Sequence, residues 1–146
     1  MRGVALAALA LVVAACASEP PAPAVSKHIQ TVAGSFDLDT ENGQARCGIT
    51  YRVREPFSKP LDLRVEFENP VPGDPPLVTE RPLDPSDKEL TVRSPVYPSL
   101  RNDHDYSVVL RGYSQTTPPQ LWFEHRDVVR LALPADEFEQ FEHAAR

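Results

Sequence analysis

Three features of this sequence predict an all-β fold, a small antiparallel Ig-like β-sandwich followed by a short C-terminal segment. Apolar and polar residues alternate in period two, as in "CGITYRV" and "LDLRVEF". Turn-forming residues interrupt the pattern at short intervals, and many of the 16 prolines sit in the gaps, where a missing backbone donor does least harm. No stretch between Lys27 and Pro134 carries a helical period of useful length.

"IQTVAGSFDL" is the first strand. Asn42-Gly43 in "ENGQ" is a hairpin signal, because a tight turn between twisted strands needs positive φ. "CGITYRV" turns Cys47, Ile49, Tyr51 and Val53 inward. "LDLRVEF" does the same with Leu61, Leu63, Val65 and Phe67, leaving Asp62, Arg64 and Glu66 on a wet face. "NPVPGDPP" breaks the chain, and "LVTERPL" follows as a short edge strand ended by proline. "KELTV" contributes Leu90 and Val92, and "DYSVVLRGY" contributes Tyr106, Val108 and Leu110. "QLWFEH" and "DVVRLAL" make one last long strand, with a break or bulge expected near His125 to Asp127. In residues 135–146 the period changes: Phe138 and Phe141 lie three apart, with Ala145 following on the same side. Asp136 and Glu137 suit a helix start and Arg146 its end. The segment is either a short helix packed by its two phenylalanines or a piece that orders only under a partner; alone it is marginal.

Seven short strands over residues 27–134 point to the Ig-like topology. There the Cys47–Val53 and Leu61–Phe67 strands belong to opposite sheets, whereas in a simple meander they pair as neighbours. In "SLRNDHDYSVVLRGY", Leu100 stands six residues before Tyr106, which opens an alternating strand. This spacing resembles the leucine and tyrosine at the start of strand F in fibronectin type III domains. The resemblance implies that the Tyr106 hydroxyl bonds back to a backbone group and fixes the crossover between sheets. The early tryptophan of that family is missing; the one tryptophan here, Trp122, comes late.

The amino terminus has a different character. Arg2 supplies a positive charge, residues 4–13 an apolar run, and Ala14 and Ala15 the small residues of a cleavage site, so residues 1–15 read as a signal peptide. The run is shorter than the roughly 20 apolar residues that span a bilayer. "VAAC" resembles the lipobox of bacterial lipoproteins: an aliphatic residue, two small ones, then cysteine. The resemblance implies that the Cys16 thiol takes a diacylglycerol, that the signal peptide is cut away, and that the new amino terminus is acylated. A thiol is a strong nucleophile, and two or three acyl chains anchor stably where one does not. Without the resemblance, residues 1–15 are an ordinary secretory signal and Cys16 is incidental. Ala17 stands where inner-membrane lipoproteins of enteric bacteria often carry aspartate, which implies the outer membrane and a domain facing the periplasm. Residues 16–26 form a Pro/Ala-rich tether. At about 3.1 Å per residue it lifts the domain a few nanometres at most.

With Cys16 given to lipid, Cys47 has no intrachain partner and no disulfide closes the domain. Its phase with Ile49 and Tyr51 makes it a small buried hydrophobe; a reactive or intermolecular thiol is the alternative. His28, His104, His125 and His143 are scattered, with no ligand spacing. Adjacent residues such as Asp103, His104 and Asp105 do not point at one centre by spacing alone. "DLDTENG" has Asn42 and Gly48 where a calcium loop wants glycine and glutamate. No GxSxG elbow, P-loop or dinucleotide fingerprint occurs. The formal net charge of −6 argues against nucleic acid. The sequence therefore predicts no catalytic residue, no metal site, no cofactor and a non-enzymatic role.

A presented binding surface remains. Tyr113 closes one strand, "TTPPQ" turns the chain, and Trp122 and Phe123 point to opposite faces of the next strand, so only one enters the core. Tyr97, Tyr113, Trp122, Phe123, Phe138 and Phe141 are the candidate partner contacts, because exposed aromatics concentrate interface energy. Leu100, Tyr106 and Cys47 are the structural residues. The expected partners are the lipid bilayer through Cys16 and an envelope protein of a secretion, pilus or cell-wall assembly. The alternatives are a structural spacer without a ligand, or a receptor for a small molecule or glycan. A deep polar pocket lined by Tyr97, Tyr113 and Trp122 favours the receptor, whereas a flat apolar patch or an open strand edge favours the protein.

Overall fold

The period-two segments form seven antiparallel strands in the computed structural model, which describes residues 25–146. The expected signal peptide, Cys16 and the tether as far as residue 24 lie outside the described residues. The strands are β1 (Ile29–Asp39), β2 (Gln44–Val53), β3 (Leu61–Phe67), β4 (Leu77–Leu83), β5 (Glu89–Arg93), β6 (His104–Ser114) and β7 (Leu121–Leu131). One helix, α1 (Ala135–Ala144), follows. The first sheet has the order β1-β2-β5 and the second β4-β3-β6-β7. The connections β2–β3, β4–β5 and β5–β6 each cross from one sheet to the other. That is the Ig-like arrangement, and it excludes a meander.

Alternation along each strand fills the space between the sheets. Cys47, Ile49 and Tyr51 of β2 and Leu90 and Val92 of β5 are buried against Leu61, Leu63, Val65 and Phe67 of β3 and Tyr106, Val108 and Leu110 of β6. Val53 was expected to join them but is only half-buried, because β2 ends there and the chain turns into the 54–60 loop. Both sides of the sandwich are covered by side chains. On one, Thr79 Oγ1 and Arg81 Nη1 of β4 donate to the carbonyls of Arg93 and Thr91 on β5, at 2.8 and 3.2 Å. On the other, β1 runs so close to β7 that a Cβ on Gly34 would lie 2.9 Å from Val129. Capping an edge in this way blunts its capacity to pair with another chain.

Two local features depart from the sequence expectation. The β1–β2 hairpin has a four-residue loop, Thr40 to Gly43, with Asp39 paired to Gln44. Asp39 Oδ1 accepts the N–H groups of Glu41 and Asn42 at 3.0 and 3.1 Å, an Asx turn that takes the place of a two-residue turn. Of Asn42 and Gly43, only Gly43 has positive φ, 61°. A side chain on Gly43 would also run into the backbone of Ala145. The irregularity of the last strand lies at Trp122, not at His125 to Asp127. Gly112 pairs with Phe123 and Tyr113 with Leu121, so Trp122 is the extra residue. The Phe123 ring lies over Gly112, where any Cβ would collide with it, and this fixes the bulge one residue away.

The antiparallel register gives the sandwich two distinct ends. Residues 25–28 and the 54–60, 84–88 and 115–120 loops share the tether end. The 40–43, 68–76 and 94–103 loops share the helix end with the C-terminal segment. There Phe141 is buried in the core cluster, Phe138 is half-buried against it, and the two rings hold α1 on the sandwich. The Asn102 side chain ties the 94–103 loop to the segment leading into α1. Its Nδ2 donates to the Leu133 carbonyl and its Oδ1 accepts the Leu133 N–H, both at 2.9 Å.

At the same end the fully buried Tyr106 places its hydroxyl on the backbone of Arg101. It accepts the Arg101 N–H at 2.6 Å and donates to the Arg101 carbonyl at 3.3 Å. Leu100, next in the loop, packs half-buried on the core. Tyr106→Phe keeps the ring and leaves the Arg101 N–H without its partner. The expected loss is about 0.5–1.5 kcal/mol in urea unfolding; an unchanged midpoint would show that the hydroxyl adds nothing to the crossover.

Candidate functional site

The outer face of the four-stranded sheet is built from residues in the opposite phase to the core. Its middle is a continuous chain of ions across all four strands: Glu80, Arg64, Glu66, Arg111, Glu124 and Arg126, linked in that order at 2.7 to 3.0 Å. Burial alone pushes the Glu66 carboxyl up, but hydrogen bonds from Arg111 and Arg64 outweigh it and hold the group below its usual range. The Arg111 hydrogen bond is the main cause that lowers Glu124. These charges satisfy one another, so this strip of the face has little left to offer a ligand.

Next to the strip, toward the tether end, the character changes. Tyr113 of β6, Pro82 of β4 and Pro119 of the β6–β7 loop form the apolar part of a groove of about 500 Å³, with Asp62, Glu80 and Arg81 among its polar residues. The pairing that aligns Asp62 with both Pro82 and Tyr113 assembles it from three neighbouring strands. Pro82 is tolerated because β4 is an edge strand.

The other sequence candidates separate. Trp122 is 44 % exposed and lines a different hollow, with Lys59, Pro60 and Thr116. Phe123 is only 6 % exposed and stacks on Phe57 with ring centroids 5.3 Å apart, so it is a core residue and not a partner contact. Tyr97 and Phe141, 5 % and 4 % exposed, are corrected in the same way. Tyr97 is drawn inward when its N–H pairs with the Ala45 carbonyl at 2.9 Å and its ring meets Phe36 and Tyr106. Phe141 is buried because α1 folds back onto the helix end. Phe138 keeps a partly exposed face. Burial pushes the Cys47 thiol up to about 12, so it stays protonated and inert.

A further polar cluster, not anticipated from the sequence, joins β1 to β7. The His125 Nδ1 accepts the Ser26 N–H at 3.1 Å, and its Nε2 lies 2.8 Å from Thr31 Oγ1. Thr31 Oγ1 donates to Asp127 Oδ1 at 2.7 Å. Burial alone pushes the Asp127 carboxyl up, but the His125 and Thr31 hydrogen bonds help to hold it below the usual range. The signal lies in "FEHRDVV", where His125 and Asp127 share the inward phase of Phe123 and Val129. Inward polar groups require partners. A threonine, a histidine and an aspartate in contact invite comparison with a nucleophile-base arrangement, and the hydrogen bonds argue against it. Because Nδ1 accepts from a backbone amide, the neutral ring carries its proton on Nε2 and cannot take one from Thr31. The Thr31 proton is directed to Asp127 instead. The cluster is a bridge that closes one side of the sandwich.

Among the described residues, no group of three or more His, Cys, Asp and Glu side chains is placed to hold a metal ion. No helix among them is long and apolar enough to cross a membrane. No protein-family model and no curated protein matches this chain.

Proposed function

We propose that this chain is a lipid-anchored, periplasm-facing outer-membrane lipoprotein that binds an envelope protein and catalyses no reaction. The observation that carries the reading is the groove at Tyr113, an apolar wall with polar residues beside a strip of self-paired ions. It suits an extended segment that lays an aliphatic or proline side chain on Tyr113 and sets a polar group against Asp62. Tyr97, Tyr113 and Trp122 line no common pocket, which disfavours the small-molecule or glycan alternative.

Crosslinking in intact envelopes, with mass spectrometry of the captured species, tests the reading. One reproducible partner is expected, and Tyr113→Ala should abolish its capture while the fold is retained. Loss of a central aromatic contact costs about 2 kcal/mol or more, roughly thirtyfold in affinity. A purified chain that turns over an envelope substrate and captures no protein would defeat the proposal. A chain that neither captures a partner nor turns over a substrate would leave the spacer and the small-molecule or glycan receptor.

A further inference from the structure

We infer that the tether end of the sandwich is a lipid-contacting face, seated on the bilayer that holds Cys16; the inference rests on the lipoprotein reading above. The two ends of the domain differ in charge. All three lysines of the chain, Lys27, Lys59 and Lys88, lie in the tether-end segments and are exposed. With Arg54 they balance Glu55, Asp84, Asp87 and the Glu19 of the tether, so this end is neutral. At the opposite end, α1 carries Asp136, Glu137, Glu139 and Glu142, with only Arg146 beyond it. The loops beside it add Glu41, Glu68, Asp74 and Asp103 against Arg101. The strands between are close to neutral, so the net charge of −6 is concentrated away from the tether. Anionic headgroups repel the acidic helix end and can pair with the exposed lysines of the other, over a Debye length of about 8–10 Å.

The connection to Cys16 is short enough to keep the tether end near the bilayer and long enough to let it settle there, within a Debye length. Val25 follows Cys16 by nine residues, a length that would span about 28 Å at the polyproline II rise. At the same end the β6–β7 hairpin offers an apolar tip. Because Trp122 is a bulge and Phe123 fills the core, Leu121 and Trp122 are both turned outward, 52 % and 44 % exposed. The 115–120 loop contains no charged residue, so no ion has to be desolvated when the tip enters the headgroup layer. An indole, with an apolar body and one N–H donor, settles at that level. The acyl chains supply the anchor, and the hairpin and lysines set the orientation of the domain upon it.

Trp122 is the one tryptophan of the chain, so its emission reports on this hairpin alone. The full-length mature protein, purified in its lipidated form, is placed in phosphatidylethanolamine/phosphatidylglycerol vesicles with and without brominated acyl chains. The expected result is a blue-shifted emission that brominated lipid reduces to about half, as for a ring seated at the acyl boundary. Lys59→Glu combined with Lys88→Glu should weaken the quenching while vesicle binding through Cys16 persists. Protein that stays on the vesicles with emission indifferent to brominated lipid overturns the inference and leaves the anchor intact. A mature chain whose mass shows Cys16 unmodified overturns the anchor, and the inference with it.

Discussion

Phe123→Ala lowers the unfolding free energy by about 3–5 kcal/mol, because it removes a large ring that the core cannot replace. The ring stacks on Phe57 and covers Gly112 on the neighbouring strand. Neither can close the void: Gly112 has no side chain, and Phe57 is already buried. The bulge at Trp122 exists to aim this ring inward, so the variant also loosens the start of β7. Equilibrium urea unfolding measures the loss. The comparison with Trp122→Ala is decisive, since Trp122 is exposed and its removal costs the domain little. Equal losses for the two residues would contradict the assignment of Phe123 to the core and Trp122 to the surface.

Asp127→Ala is expected to cost about 1.5–3 kcal/mol near neutral pH, the range for hydrogen bonds to an ionised group. It strips the acceptor from the Thr31 hydroxyl and leaves the His125 Nε2 with Thr31 alone. The effect should also depend on pH in one direction. The folded carboxyl titrates below its ordinary value of 3.8, so as pH falls the unfolded chain takes up its proton first. The stabilisation is therefore complete above about 3.8 and drains away as pH drops through the lower folded value. Urea titrations of both proteins from neutral pH downward check this: the gap between them should narrow in acid. A gap that is absent at neutral pH, or that widens in acid, would falsify the bridging role.

The strands and most of the core were legible in the sequence, because alternation is a local signal and the buried face of one strand does not depend on its neighbours. Cys47, Ile49 and Tyr51 on β2 and Leu61 through Phe67 on β3 are buried as their phase requires. The spacing of Phe138 and Phe141 allowed a helix in residues 135–146, and their packing on the helix end makes it α1. The exposure of the aromatics was another matter. Period alone cannot say that the Tyr97 segment pairs with Ala45, that α1 folds back to bury Phe141, or that the ring of Phe123 rests on a glycine of β6. The bulge moved for the same reason, since its position is set by Gly112 across the strand pair and not by residues within β7.

The sequence by itself determined the seven strands, the inward phase of β2, β3, β5 and β6 and the distribution of charge along the chain. Only the tertiary structure decided what those elements bring together. Thr31 meets His125 and Asp127 across 94 and 96 residues, because the sandwich closes β1 against β7. Tyr113, Pro82 and Pro119 share one groove because β3 pairs with both β4 and β6. The three lysines gather at one end because the antiparallel register returns every second connection to the same side. Periodicity is written in neighbouring residues, whereas a site is a coincidence in space of residues distant in the chain, which strand order and register alone create.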